Sequence, residues 1–159
     1  MIRYPTAGAA ALALSLSLIT PVHAATTTQP TKAEEQAALA PLQGIFDGIR
    51  KQDRELVRAQ LFPGGMATLI RDDKPLQLHW DAFVARLVWK PGDTYEERIH
   101  DPIIHLDNDI GVLWTPYVFL INGKVDHCGT NIVNLIRRDG RWLISGVADN
   151  SRKTCEGNG

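Results

Sequence analysis

Across residues 33–61 the apolar positions Leu39, Leu42, Ile45, Phe46 and Ile49, then Leu56, Val57 and Leu61, recur at three- and four-residue steps. That spacing predicts one buried helix face. Pro41 interrupts the run, and a proline inside a helix loses a backbone bond and crowds the preceding turn. The pattern therefore predicts more than one helix, with Pro41 in the first turn of the main one. Asp53 is placed to cap a second, short helix that closes at Phe62-Pro63-Gly64-Gly65.

Beyond this point the period shortens to two. Residues 66–70 and 76–80 flank the turn-rich "RDDKP" and predict a hairpin. Residues 80–88 return to helical spacing through Phe83, Val84 and Leu87, and Pro91-Gly92 ends them. Four strand candidates follow, at residues 95–106, 110–121, 124–138 and 141–150. Their connections carry "DND" around Asn108, then Asn122-Gly123 and Asp139-Gly140, the last two being strong hairpin signals. Helices first and an antiparallel meander last predict an α+β domain with helices over one sheet face.

A two-residue turn at Asp139-Gly140 would set Arg138 opposite Arg141, Leu135 opposite Ile144, Asn131 opposite Ala148 and Gly129 opposite Asn150. Alternation then groups His127, Asn131, Val133 and Leu135 with Trp142, Ile144, Ala148 and Asn150 on one face. The face is apolar near the turn and polar at the far end. On the preceding strand Trp114 and Tyr117 have opposite parity. Both face inward only if Thr115-Pro116 forms a bulge; otherwise the aromatic residues divide between core and surface.

At 159 residues the chain has the length of one domain with a proper core. Residues 1–24 have the order of a secretory signal peptide, with Arg3, an uncharged run from Ala7 to Ile19, and the small-residue ending Val22-His23-Ala24. Residues 25–32 are polar and predict a disordered tether, leaving 33–159 as the domain. The net charge of -1 carries no nucleic-acid footprint, and no membrane association is expected once the signal is removed.

An exported chain with 2 cysteines favours a bridge between them. The hairpin register brings Cys155 back beside Lys124, within reach of Cys128 if the chain bends. A bridged Cys128 is neither the thiolate of a Cys-His dyad nor a metal ligand. His79, His100, His105 and His127 show no ligand spacing, so no metal is expected, and no nucleophile elbow or phosphate loop is present. His127 has two readings: a rim histidine bonded to backbone, or the polar head of a mostly apolar cavity.

"IFDGIRKQD", "ERIHDPIIHLDNDIGVLWTPYVFLINGKVDHCGTN" and "LIRRDGRWLISGVADNSR", in this order over residues 41–152, resemble the nuclear transport factor 2-like superfamily, more closely its exported SnoaL-like, lumazine-binding-type branch. The resemblance implies a cone, a curved antiparallel sheet wrapped around N-terminal helices with a pocket at one end, commonly in homodimers that pair through sheet faces. It also implies that catalytic members move protons with a tyrosine and acidic residues or a histidine-aspartate pair, for which Tyr117, Asp101 and His127 are candidates by type.

Three functions follow as expectations. The first is a periplasmic or secreted binder of a small apolar or aromatic molecule, walled by Trp114, Tyr117 and Phe119 and oriented by His127, Asn131 and Asn150. The second is a lyase, hydratase or isomerase without a cofactor, in which His127 moves a proton while Tyr117 or a buried carboxylate polarises the substrate. The third is an interaction module with a filled cone and an exposed sheet face.

Overall fold

The computed structural model describes residues 29–155. The signal-peptide expectation and most of the tether lie outside them. Helix α1, Lys32–Lys51, is capped by Thr31, whose hydroxyl accepts from the Glu34 backbone N–H at 3.3 Å while the Glu34 carboxylate accepts from the Thr31 N–H at 2.8 Å. The last two tether positions thus serve the helix start. Contrary to the break expected at Pro41, α1 runs through it as one helix of 20 residues. Pro41 is buried with Leu42, Ile45, Phe46 and Ile49, while Ala37, whose carbonyl loses its donor, is exposed and open to water.

Helix α2, Arg54–Arg58, is capped by Asp53, whose Oδ1 accepts from Glu55 N and Leu56 N at 2.9 and 3.0 Å. Phe62 to Gly65, expected to end this helix, lie in strand β1, Leu61–Arg71. The pairing of β1 slips between Leu61 and Met66, Gly64 takes φ of +85°, and Trp80 Nε1 donates to Phe62 O at 2.7 Å. Strand β2, Lys74–His79, completes a hairpin through Asp72 and Asp73, both at positive φ. Helix α3, Trp80–Ala85, then buries Trp80 and Val84.

Strands β3, Tyr95–Ile99, and β4, Ile103–Asp107, occupy the span expected as one strand. Both pair with the same edge of β5, Ile110–Ile121, at its two ends. Pro116 of β5 faces the gap and has no N–H to offer a ladder there. Strand β6, Lys124–Arg138, and β7, Arg141–Arg152, continue the sheet in the order β2-β1-β7-β6-β5-β3, antiparallel except for the β1–β7 pair. Asn122-Gly123 and Asp139-Gly140 all take positive φ in the hairpin turns.

Leu135 pairs with Ile144 as expected, but Asn134 pairs with Gly146, so Ser145 is an extra residue in β7. Every later partner moves by one. Asn131 faces Asp149 and Gly129 faces Ser151, which corrects the expected pairs with Ala148 and Asn150. Helix α1 packs across the inner sheet face, where Ala38, Leu42, Ile45 and Phe46 share one core with Tyr95, Leu113, Val133, Leu135, Trp142 and Ile144. This inner face carries the candidate site at the end remote from the Asp139-Gly140 turn.

Candidate functional site

Four strands deliver polar side chains to the inner face beyond the apolar core. Glu97 of β3 sits opposite Phe119, and Asn131 of β6 lies between Thr115 of β5 and Asp149 of β7. Asn131 is 5% exposed and donates from Nδ2 to Glu97 Oε1 at 2.9 Å. Asp149 pairs with Arg71 at the end of β1, in a two-pronged contact whose second arm, Nη2 to Oδ2, is 3.0 Å.

Glu97 is only partly exposed, and burial pushes its carboxyl up to about 7. The Asn131 bond opposes that rise, the Asp149 carboxylate adds to it, and Arg71 offsets part of it. Glu97 is thus a carboxyl poised between acid and base near neutrality. Tyr117, 2% exposed, donates its hydroxyl to Asn150 O at 3.0 Å. Burial, then the Asp149 and Glu97 carboxylates, hold the phenol above its ordinary range, so it is a neutral wall of the site. Gly129 lies under this ring: a Cβ there would stand 2.8 Å from Tyr117 Cε1 and 1.9 Å from Asn150 O.

His127 stacks on Phe119 with ring centroids 4.9 Å apart and meets Tyr117 edge-on at 5.8 Å. Its Nδ1 lies 2.9 Å from Asp126 Oδ2, which Lys153 Nζ also reaches at 3.0 Å. The bonds from His127 and Lys153 hold the Asp126 carboxyl below its usual range. Arg71 and His127 also line a rim cavity of about 270 Å³.

Of the residues singled out by sequence, Tyr117, Phe119, His127 and Asn131 come together on the inner face. Three others do not. Trp114 points outward and is 47% exposed, because β5 and β6 stay in register through Thr115 and Pro116 without the bulge that would turn it in. Asn150 is turned outward by the extra residue at Ser145; its Oδ1 accepts from Thr130 N at 2.9 Å. Asp101 is exposed at φ of +45° in the break between β3 and β4. Glu97, Asp149 and Arg71 were missed by the sequence reading. Alternation with Tyr95 and Ile99 is the signal that places Glu97 inside, and Gly146 is the signal for the bulge that brings Asp149 in.

Cys128 and Cys155 form a disulfide with Cα atoms 5.8 Å apart, joining β6 to the segment after β7. Among the described residues no group of three or more histidine, cysteine, aspartate or glutamate side chains is arranged to hold a metal ion, and no helix is long and apolar enough to cross a membrane.

A helical layer packed in the hollow of an unclosed, mainly antiparallel sheet, with polar groups gathered at one end of the inner face, defines the nuclear transport factor 2-like cone fold, an α+β arrangement. Solved structures of this fold are similar along most of their length. A nuclear transport factor 2-like protein of unknown function from Silicibacter pomeroyi is 18% identical with a TM-score of 0.61, covering 77% of this chain and 100% of its own. A protein of unknown function with a cystatin-like fold from Nostoc punctiforme is 9% identical with a TM-score of 0.66, over 81% of this chain and 98% of its own. A chain described as a candidate scytalone dehydratase from Novosphingobium aromaticivorans is 10% identical with a TM-score of 0.61, over 80% and 89%. Neither a protein-family model nor a curated protein matches the chain.

Proposed function

We propose that the protein binds a small organic molecule against the inner face of its sheet, between the rings of Phe119 and His127 and the polar groups of Glu97 and Asn131. The observation that carries this reading is the delivery of Glu97, Asn131, Asp149 and Arg71 from four strands to one end of a face that is otherwise apolar core. A few convergent polar groups beside apolar walls are what orients a mostly apolar ligand. The disulfide supports export to an oxidising compartment. Native mass spectrometry of protein purified from such a compartment, with and without denaturation, tests the binding. A small-molecule mass lost on denaturation, and its loss in an Asn131→Leu variant that still folds, is the expected result. A bare protein mass, together with no amide shifts at Glu97, Phe119 or Asn131 across a library of aromatic and alicyclic compounds, would remove the reading.

A second reading, a lyase, hydratase or isomerase without a cofactor, is favoured by Glu97. A carboxyl raised to about 7 and held by Asn131 can take a proton from a carbon acid or give one to a leaving group. His127 is a second group for proton transfer there, since its Nδ1 lies against Asp126 and leaves Nε2 without a protein partner among the described residues.

The outer sheet face is the proposed surface for a second copy. Ile103, Trp114 and Ile132 are cross-strand neighbours there, 53%, 47% and 36% exposed, and make a continuous apolar row. Sedimentation should show a dimer that Trp114→Lys converts to a folded monomer; a wild-type monomer at every concentration would end this proposal.

A further inference from the structure

The rim cavity of about 270 Å³ is lined by Arg71, Asp72, His127, Ser151, Arg152 and Lys153. Its charges are not equally engaged. Arg71 is held by Asp149, and Lys153 by Asp126. Arg152 makes no ion pair among the described residues, although its charge reaches the Tyr117 phenol. His127 uses Nδ1 on Asp126, and its Nε2 has no protein partner among the described residues. Arg152 therefore offers the cavity donors without acceptors, while His127, with its Nδ1–H turned to Asp126, presents Nε2 as an acceptor when neutral and as a donor when protonated.

The disulfide fixes this wall. Cys128, next to His127, places Sγ 3.7 Å from the carbonyl oxygens of Arg152 and Thr154, and the bridge to Cys155 fastens the chain just past Lys153. An arginine held at a cavity wall loses less freedom on binding an anion than one on a loose tail.

We propose that the rim cavity is a carboxylate subsite: the small molecule on the inner face carries one anionic group, received by the Arg152 guanidinium with Arg71 and His127 beside it. The inference rests on the small-molecule reading above. A single negative charge is specified because Asp126 and Asp149 neutralise Lys153 and Arg71, and Asp72 lines the same cavity. A planar carboxylate matches the fork of Arg152, whereas a dianionic phosphate would meet Asp72 with a charge that the one unpaired cation does not balance. The volume admits the carboxylate with a few waters.

Calorimetric titration of the disulfide-bonded protein at neutral pH with naphthoate, naphthyl phosphate and naphthylmethanol tests this. Naphthoate should bind about ten-fold more tightly than the alcohol, and more tightly than the phosphate, the gain expected of one charge-assisted contact. Arg152→Gln should abolish the preference for naphthoate over the alcohol, while Arg86→Gln, an exposed control, preserves it. Equal binding of acid and alcohol, a phosphate preference, or an Arg152→Gln variant that still prefers the acid would overturn the subsite and leave small-molecule binding standing. If none of the three probes bound, the subsite would fall, and the small-molecule reading would stand or fall on the mass and library test above.

Discussion

A variant with both Cys128 and Cys155 replaced by alanine should lose about 3 kcal/mol of stability, a fall in Tm on the order of 10–15 °C for a domain of this size. The bridge joins positions separated by 27 in sequence, and closing a loop of that length removes conformational entropy from the unfolded chain, raising its free energy by about this much in the chain-entropy model. Alanine is the substitution of choice because Cys128 is buried, at 4% exposure, where a serine hydroxyl would need a partner. Urea unfolding of wild type with and without reductant provides the check. Reduced wild type should approach the double variant, and coincident curves for oxidised and reduced protein would show that the bridge contributes nothing. Cutting it should also loosen Lys153 from Asp126, so amide exchange beyond Arg152 should quicken before the sheet opens.

Much of the sheet was legible because its turns are chemically explicit. Asn122-Gly123 and Asp139-Gly140 accept positive φ at both positions, and the second fixed the pairing of Leu135 with Ile144. The same register foretold the disulfide, since a deviation of one residue in β7 still leaves Cys155 near Cys128. For the site, one residue was decisive. Ser145 has no feature in the alternation of β7 that marks it as extra, yet it exchanges Asn150 for Asp149 on the inner face. Glu97 was hidden differently: Glu96, Glu97 and Arg98 are consecutive charges, which read as a solvated stretch and mask the alternation with Tyr95 and Ile99 that puts the middle one on the inner face. Arg71 lies at a strand end beside a turn, where periodicity says nothing. Pro41 misled because a helix with a deep apolar face tolerates one lost bond when the freed carbonyl is at the water side.

Glu97→Gln should make the protein more stable at pH 8 and leave it nearly unchanged near pH 4, while removing any proton transfer. The Glu97 carboxyl titrates at about 7 in the fold against an ordinary value of 4.5. Between those values the folded state holds a proton that the unfolded state has lost. Its contribution is therefore fully present below 4.5, declines as pH rises, and is gone above about 7. A shift of this size corresponds to something on the order of 3 kcal/mol. Glutamine keeps an oxygen for Asn131 Nδ2 and cannot ionise, so the variant's stability should be flat across the same window. Urea unfolding at several pH values reads this directly; parallel pH profiles for both proteins would mean that Glu97 is not desolvated. The chemistry has the opposite dependence. A base must be ionised to accept a proton, so turnover of a substrate would rise through pH 7 and fall by about a hundredfold or more in the glutamine variant. Stability gained and turnover lost at one residue would mark Glu97 as retained for proton transfer at the expense of the fold. Stability gained with ligand affinity intact and no reaction on any carbon acid would leave a binding protein whose Glu97 only orients its ligand.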